Sequence, residues 1–231
     1  MKKMKNILIT GCSSGLGLAL TKQYLKKGYY VFGISRNKPK IKHKNLFFKK
    51  CDLSKINTIK KELSQYLHDI KKFEMVYLNA GILGEINSMT KLKSKNIKKT
   101  LNINVFANKE LLDILTLLKV KNIVAISSGA AVNGSFGWGG YSLSKSSLNM
   151  LINLYAQEMP KTKLLAVAPG VIETPMTDYI RYEVDDTIYT SAKVLKEGEL
   201  QSPKQAAQRL HKVIEKIENF QSGSFIDVRN I

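Results

Sequence analysis

Tyr141 and Lys145 stand four residues apart in Tyr141-Ser-Leu-Ser-Lys145, behind an apolar run that closes on Ser127-Ser128. Apolar residues then recur at Leu143, Leu148, Leu151, Ile152 and Tyr155. That spacing predicts a helix, with the phenol and the ammonium on one face near its start. A phenol with a free pKa of about 10 is a poor acid at neutral pH. An ammonium beside it stabilises the phenolate, and Ser128 can aim a hydroxyl at the same spot. The set is a tunable proton donor of the kind needed to reduce a carbonyl. The pair occurs a second time, as Tyr189-Thr-Ser-Ala-Lys193. There a polar stretch precedes it, without a strand or a hydroxyl pair, so Tyr189 reads as a loop or lid residue.

The elements that position this chemistry are strands alternating with helices. Ile123 to Ile126 is an apolar, β-branched run suited to a buried strand. Asn6 to Thr10 is another, and it runs into Thr10-Gly-Cys-Ser-Ser-Gly-Leu-Gly17 and a helix ending at Gly28. A strand, a glycine turn and a helix form a phosphate site, because glycines admit the pyrophosphate and the first helical N–H groups face it. The spacing is G-x-x-x-G-x-G over Gly11, Gly15 and Gly17, not the commoner G-x-G-x-x-G. The second strand, Tyr29 to Ile34, ends at Ser35-Arg36-Asn37. An acid at this point binds ribose hydroxyls, whereas an arginine pairs with a 2′-phosphate. Arg36 therefore favours NADP(H) over NAD(H), the alternative being an ordinary solvated arginine.

Leu46 to Lys50 and Phe73 to Leu78 are the third and fourth strands. The fourth ends in Asn79-Ala80-Gly81, small residues that let a flat group lie against the backbone. A long helix from about Ser94 to Leu118 contains Asn102 and Asn104, which are unfavourable inside a helix unless their side chains find partners. Asn102 is expected to face solvent. Lys163 to Ala168 ends in Pro169-Gly-Val-Ile-Glu-Thr-Pro-Met176, a stiff turn placed to cover a ligand. Residues 176 to about 200 read as a small helical lid. Ser202-Pro203 starts a helix as an N-cap followed by proline, and Ser224 to Val228 is the last strand. This order implies a doubly wound parallel sheet with helices on both faces, binding ligand at the carboxyl ends of the strands.

Composition narrows the class. The 231 residues fit one domain, and no apolar run reaches the roughly 18 residues a membrane helix needs. The basic start, Met1 to Lys5, mimics a secretion signal, but glycines and serines interrupt the apolar stretch by Gly11. Cys12 and Cys51 have no metal-ligand spacing, so no metal is expected, and they read as reduced thiols of a cytoplasmic protein. The formal charge of +19 invites a nucleic-acid partner, yet the lysines are spread along the chain without a nucleic-acid-binding motif. A solvated basic surface that attracts an anionic cofactor or substrate is the preferred reading.

Over essentially its whole length the chain resembles the short-chain dehydrogenase/reductase family. The matching pieces are TGCSSGLG at 10–17, Asp52-Leu53, NAG at 79–81, Asn104, Ser128, YSLSK at 141–145 and PGVIETP at 169–175. The resemblance implies a Rossmann-type fold over residues 1–231 and an NADP(H)-dependent enzyme acting on a small-molecule carbonyl. Ser13, Ser14, Leu16 and the three glycines would hold the phosphates, Asp52, Leu53 and Asn79 would border the adenosine half, and Ala80 and Gly81 would also contact the cofactor. Thr174 and the backbone of Ile172 would fix the carboxamide, with Pro169 and Gly170 also against the cofactor. Tyr141 would donate the proton, Ser128 would bind the carbonyl, and Lys145 would lower the phenol pKa and hold the ribose. Asn104 would hold a water that relays protons to Lys145. FGWGGY at 136–141 and SGSFIDV at 222–228 are similar to the sepiapterin and benzil reductase branch. Phe136, Trp138, Met176 and Tyr179 suggest an apolar or aromatic substrate. Asp227 falls where sepiapterin reductases anchor the pterin, or is a surface acid at the end of the last strand. A homodimer or homotetramer is implied by resemblance alone. The competing reading is a non-enzymatic NADP(H) sensor, which would normally lack Tyr141 or Lys145.

Overall fold

The strands are near-continuous apolar runs because both faces of the sheet are covered, as parallel sheets require. A computed structural model describes residues 5–231; the basic start before Lys5 lies outside them. Seven parallel strands, β1 (Asn6–Thr10), β2 (Tyr30–Ser35), β3 (Leu46–Lys50), β4 (Lys72–Leu78), β5 (Lys119–Ile126), β6 (Lys163–Ala168) and β7 (Phe225–Asp227), run in the order β3-β2-β1-β4-β5-β6-β7. The order reverses between β1 and β4, which opens a crevice at the carboxyl edge. Register is continuous across that point, with Ile7 beside Val31 on one side and Met75 on the other.

The two-residue period of the strands sorts their side chains between two cores. Ile7, Ile9, Tyr77, Val124 and Val167 face α1 (Gly15–Lys26) and α8 (Pro203–Glu215), packing on Leu16, Leu20, Leu210 and Val213. Leu8, Val76, Leu78, Ile123 and Ala166 face α2 (Ile56–Leu67), α4 (Ala107–Thr116) and α5 (Gly139–Glu158), packing on Leu63, Leu111, Leu115, Leu148 and Ile152. The predicted N-cap at Ser202 is present: its hydroxyl accepts from the Gln205 N–H, and Gln205 Oε1 accepts from the Ser202 N–H at 2.8 Å.

One stretch departs from the sequence reading. The long helix expected over Ser94 to Leu118 is divided into α3 (Ser94–Leu101), a π-helical turn (Asn102–Phe106) and α4. The Ala107 N–H reaches back to the Asn102 carbonyl, inserting an extra residue that carries Asn104 inward, while Asn102 is half-buried instead of solvent-facing. The lid region holds α6 (Pro175–Glu183) and α7 (Thr190–Glu197). Thr174 caps α6 through a reciprocal bond with Thr177, ahead of Pro175. Among the described residues no helix is long and apolar enough to cross a membrane.

Candidate active site

At the end of β1 the chain turns away through Gly11, whose φ of 68° lies in the left-handed region. Its N–H donates to the Ile34 carbonyl at 2.7 Å. Thr10 Oγ1 accepts from the N–H groups of Asn79 (2.9 Å) and Ala80 (3.0 Å), while Asn79 Nδ2 donates to the Thr10 carbonyl at 2.9 Å. The ends of β1 and β4 are thus stitched into one rim. Gly17 presses the first turn of α1 onto that rim so tightly that a Cβ there would lie 2.1 Å from the Gly11 carbonyl oxygen. No side chain caps α1, so its first N–H groups remain free for an anion beside Ser13, Ser14, Gly15 and Leu16, all on the cleft wall. These residues fit a dinucleotide: the uncapped start of α1 and the small residues Gly11, Ser13, Ser14 and Gly15 line the cleft, so a pyrophosphate meets N–H groups with no large side chain in the way.

The cleft has a volume of about 750 Å³ and runs along the strand ends. Arg36 is exposed on its rim beyond β2, next to Asp52 and Leu53. Asp52 accepts from the Ser54 N–H and hydroxyl, bonds that hold its carboxyl below the ordinary range. Ala80, Gly81, Pro169, Gly170, Ile172 and Thr174 continue the wall toward Ser128, Tyr141 and Lys145.

Lys145 is 4% exposed and donates to the Ile126 carbonyl at 2.8 Å. Burial lowers its pKa to about 8. Its Nζ lies 5.6 Å from the centroid of the Tyr141 ring. Burial pushes the Tyr141 phenol up to about 12, against the pull of the Ser128 hydroxyl. The expected lowering of the phenol pKa is therefore not what the structure shows, because desolvation outweighs the hydrogen bond. A raised pKa keeps the phenol protonated, the state a proton donor needs. Ser127, unassigned from sequence, donates to Asn149 Oδ1 at 2.6 Å and ties the end of β5 to α5.

Asn104 is fully buried just outside the cleft wall. Its Oδ1 accepts from the Ile82 N–H, and its Nδ2 donates to the Ile82 carbonyl and to Ser144 Oγ, all at 2.8 Å. Both amide N–H bonds go to protein groups, so its side chain braces the Gly81 turn against α5. A Cβ at Gly81 would lie 3.1 Å from Asn104 Oδ1 and 3.5 Å from Lys145 Nζ. No sequence signal pointed to Ser144, because a serine in a helix is usually solvated.

The candidate substrate residues divide. Trp138 and Met176 line the cleft, with Leu83 and Ile180 beside them. The buried Trp138 Nε1 has no partner, and its ring meets Tyr141 edge-on at 6.3 Å. Phe136 and Tyr179 are exposed and off the wall; Phe136 stacks instead on Tyr189 at 5.6 Å. Asp227 is also off the wall, held by Arg229, which is on it.

Residues 5–185 match the family model for short chain dehydrogenases. The chain is 30% identical to a benzil reductase ((S)-benzoin forming) of Bacillus cereus, over 97% of this chain and 99% of that one. It is 28% identical to the protein of the same name from Bacillus subtilis, over 98% and 99%. A short chain dehydrogenase family protein from Francisella tularensis superposes with a TM-score of 0.84 at 24% identity, covering 97% of this chain and 96% of the other. With this fold and these relatives, the chain belongs to the short chain dehydrogenase family, oxidoreductases acting on CH–OH and C=O groups.

Proposed function

We propose that this protein is an NADPH-dependent carbonyl reductase of the cytoplasm that acts on an aromatic ketone or diketone, with Tyr141 as proton donor. The observation that carries the reading is that Ser128, Tyr141 and Lys145 share one cleft with the glycine turn. Bound there, the nicotinamide supplies the hydride that reduces the carbonyl carbon. The Ser128 hydroxyl donates to the carbonyl oxygen and orients it toward Tyr141. The phenol proton passes to that oxygen as negative charge develops on it. Lys145, fixed by the Ile126 carbonyl, places a positive charge behind the ring and stabilises the phenolate left behind. Arg36 and the absence of an acid after β2 support NADPH over NADH. Leu83, Trp138 and Ile180 exclude water and favour an aromatic substrate, a reading that the likeness to benzil reductases supports. We also infer self-association through the π-helical turn and α5, where Phe106, Leu143, Met150 and Leu154 are exposed.

NADPH oxidation with benzil, sepiapterin and simple aromatic ketones tests the reading. Wild type is expected to reduce at least one of them, preferring NADPH to NADH. Tyr141→Phe is expected to lower turnover by roughly 10²–10⁴-fold while still binding NADPH. Arg36→Ala is expected to raise KM for NADPH by about tenfold, with little change for NADH. Tight NADPH binding without turnover on any ketone would favour a dinucleotide sensor.

A further inference from the structure

The last strand brings a charge to the cleft that neither the tyrosine nor the glycine turn requires. Beyond Asp227 the chain closes into a short 3-10 turn over Val228–Asn230, and Arg229 folds back along the strand ends. Its Nε donates to Asp227 Oδ1 at 2.9 Å and its Nη2 to Oδ2 at 2.6 Å, while its own N–H reaches Oδ1 at 3.0 Å. This two-pronged pair fixes the plane of the guanidinium. The carboxylate side chain is 9% exposed and the arginine 53%, so the acid is hidden and the cation open.

The arginine bridges two turns of the cleft wall, the one that follows Ser128 and the one that follows β6. Its stem passes Gly170, where a Cβ would lie 3.8 Å from Arg229 Cγ; its tip reaches Gly129, where a Cβ would lie 3.1 Å from Nη2. Gly129 directly follows Ser128. The cation therefore lies against the residue that follows Ser128, and both Ser128 and Arg229 line the same cleft. Arginine offers donors and no acceptor. A donor-rich heterocycle such as a pterin, which a free carboxylate would anchor, meets the opposite partner here.

We propose that Arg229 selects substrates carrying a second acceptor oxygen beside the reacting carbonyl, a vicinal diketone or a 2-oxo carboxylate. It donates to that second oxygen while the first takes Ser128 and Tyr141. Asp227 positions the guanidinium and does not contact the substrate. The proposal rests on the reductase reading and narrows its substrate class.

The test compares kcat/KM of wild type, Arg229→Gln and Arg229→Lys on 1-phenyl-1,2-propanedione and on 1-phenyl-1-propanone, with phenylglyoxylate as the charged member. NADPH affinity is measured in parallel by fluorescence. A hydrogen bond from a charged donor implies that the diketone-to-monoketone ratio falls roughly 10- to 100-fold in the glutamine variant. The lysine variant is expected to restore part of that ratio. A ratio unchanged within about twofold, whether both rates fall or neither does, overturns the proposal. So does a loss on all substrates that follows weaker NADPH binding, which would assign the arginine to the cofactor. Wild type reducing the monoketone with an unchanged ratio in the variant leaves the reductase reading intact. Wild type reducing none of the three overturns both.

Discussion

Where the cleft meets β1 and β4 its wall is closely packed backbone tied by short polar side chains; where it meets the lid its wall is apolar side chains. On the first side, Gly17 brings main chain against the Gly11 carbonyl, leaving no room for even a methyl group, and the Thr10 hydroxyl and Asn79 amide bond to main chain across the two strand ends. On the second side, Leu83, Trp138, Ile180 and Ala192 form a small core, and the exposed Phe136 ring stacks on Tyr189. Tyr189 in turn lies over Gly137, where a Cβ would come 2.4 Å from the ring. The two walls have different freedom. A hydrogen-bonded, closely packed rim holds one geometry, whereas apolar packing of exchangeable side chains can refit around ligands of different shape.

Perturbing each wall sharpens the contrast. The largest effect is expected on the backbone side: Asn104→Ala leaves the Ile82 N–H and carbonyl without their partners, costing about 2–4 kcal/mol of stability, measurable by urea unfolding. A cost below about 1 kcal/mol would mean that the Gly81 turn does not depend on this brace. Gly17→Ala forces the glycine turn open, and strain of about 1–3 kcal/mol weakens NADPH binding by roughly 5- to 150-fold in a fluorescence titration. Wild-type affinity in that variant would show the turn to be deformable and the contrast false.

The pH profile probes the junction of the two walls. Lys145 loses its charge as pH rises through about 8, because burial disfavours the ammonium. The phenol, at about 12, stays protonated throughout this range. Reduction needs the phenol protonated and the lysine cationic, so kcat/KM is expected to be level below pH 8 and to fall about tenfold per unit above it. A level profile to pH 10 would remove Lys145 from the chemistry. The smallest effect is expected on the lid: Tyr189→Ala removes one exposed stack, worth about 0.5–1.5 kcal/mol, and is expected to raise substrate KM only a few-fold while leaving NADPH affinity alone.

The same contrast explains what could be read from the amino-acid order. Gly11, Gly15 and Gly17 announce themselves as a glycine turn between a strand and a helix, and the buried strands announce themselves as unbroken apolar runs. Tyr141 and Lys145 were legible as a pair because helical spacing brings them together. Asn104 is out of place in a helix by residue type, but the π-helical turn that seats it is not legible, since it goes with tertiary bonding to Ile82 and Ser144. Phe136 and Tyr179 look like pocket residues by type alone, yet they face outward. Arg229 carried no signal, because its place depends on a turn past the last strand that folds it back onto Asp227. The direction of the Tyr141 pKa is hidden for a similar reason: proximity to a lysine is visible in sequence, whereas desolvation is not.

The most direct measurement is the fate of the transferred hydride. Benzil is incubated with the protein and NADPH carrying deuterium at the transferring C4 position of the nicotinamide, and the product is examined by mass spectrometry and proton NMR. The expected result is benzoin with one deuterium on the carbinol carbon, formed by wild type and almost absent with Tyr141→Phe. Label-free benzoin, or labelled benzoin formed equally by both proteins, would contradict a cleft in which the nicotinamide and Tyr141 act on one carbonyl.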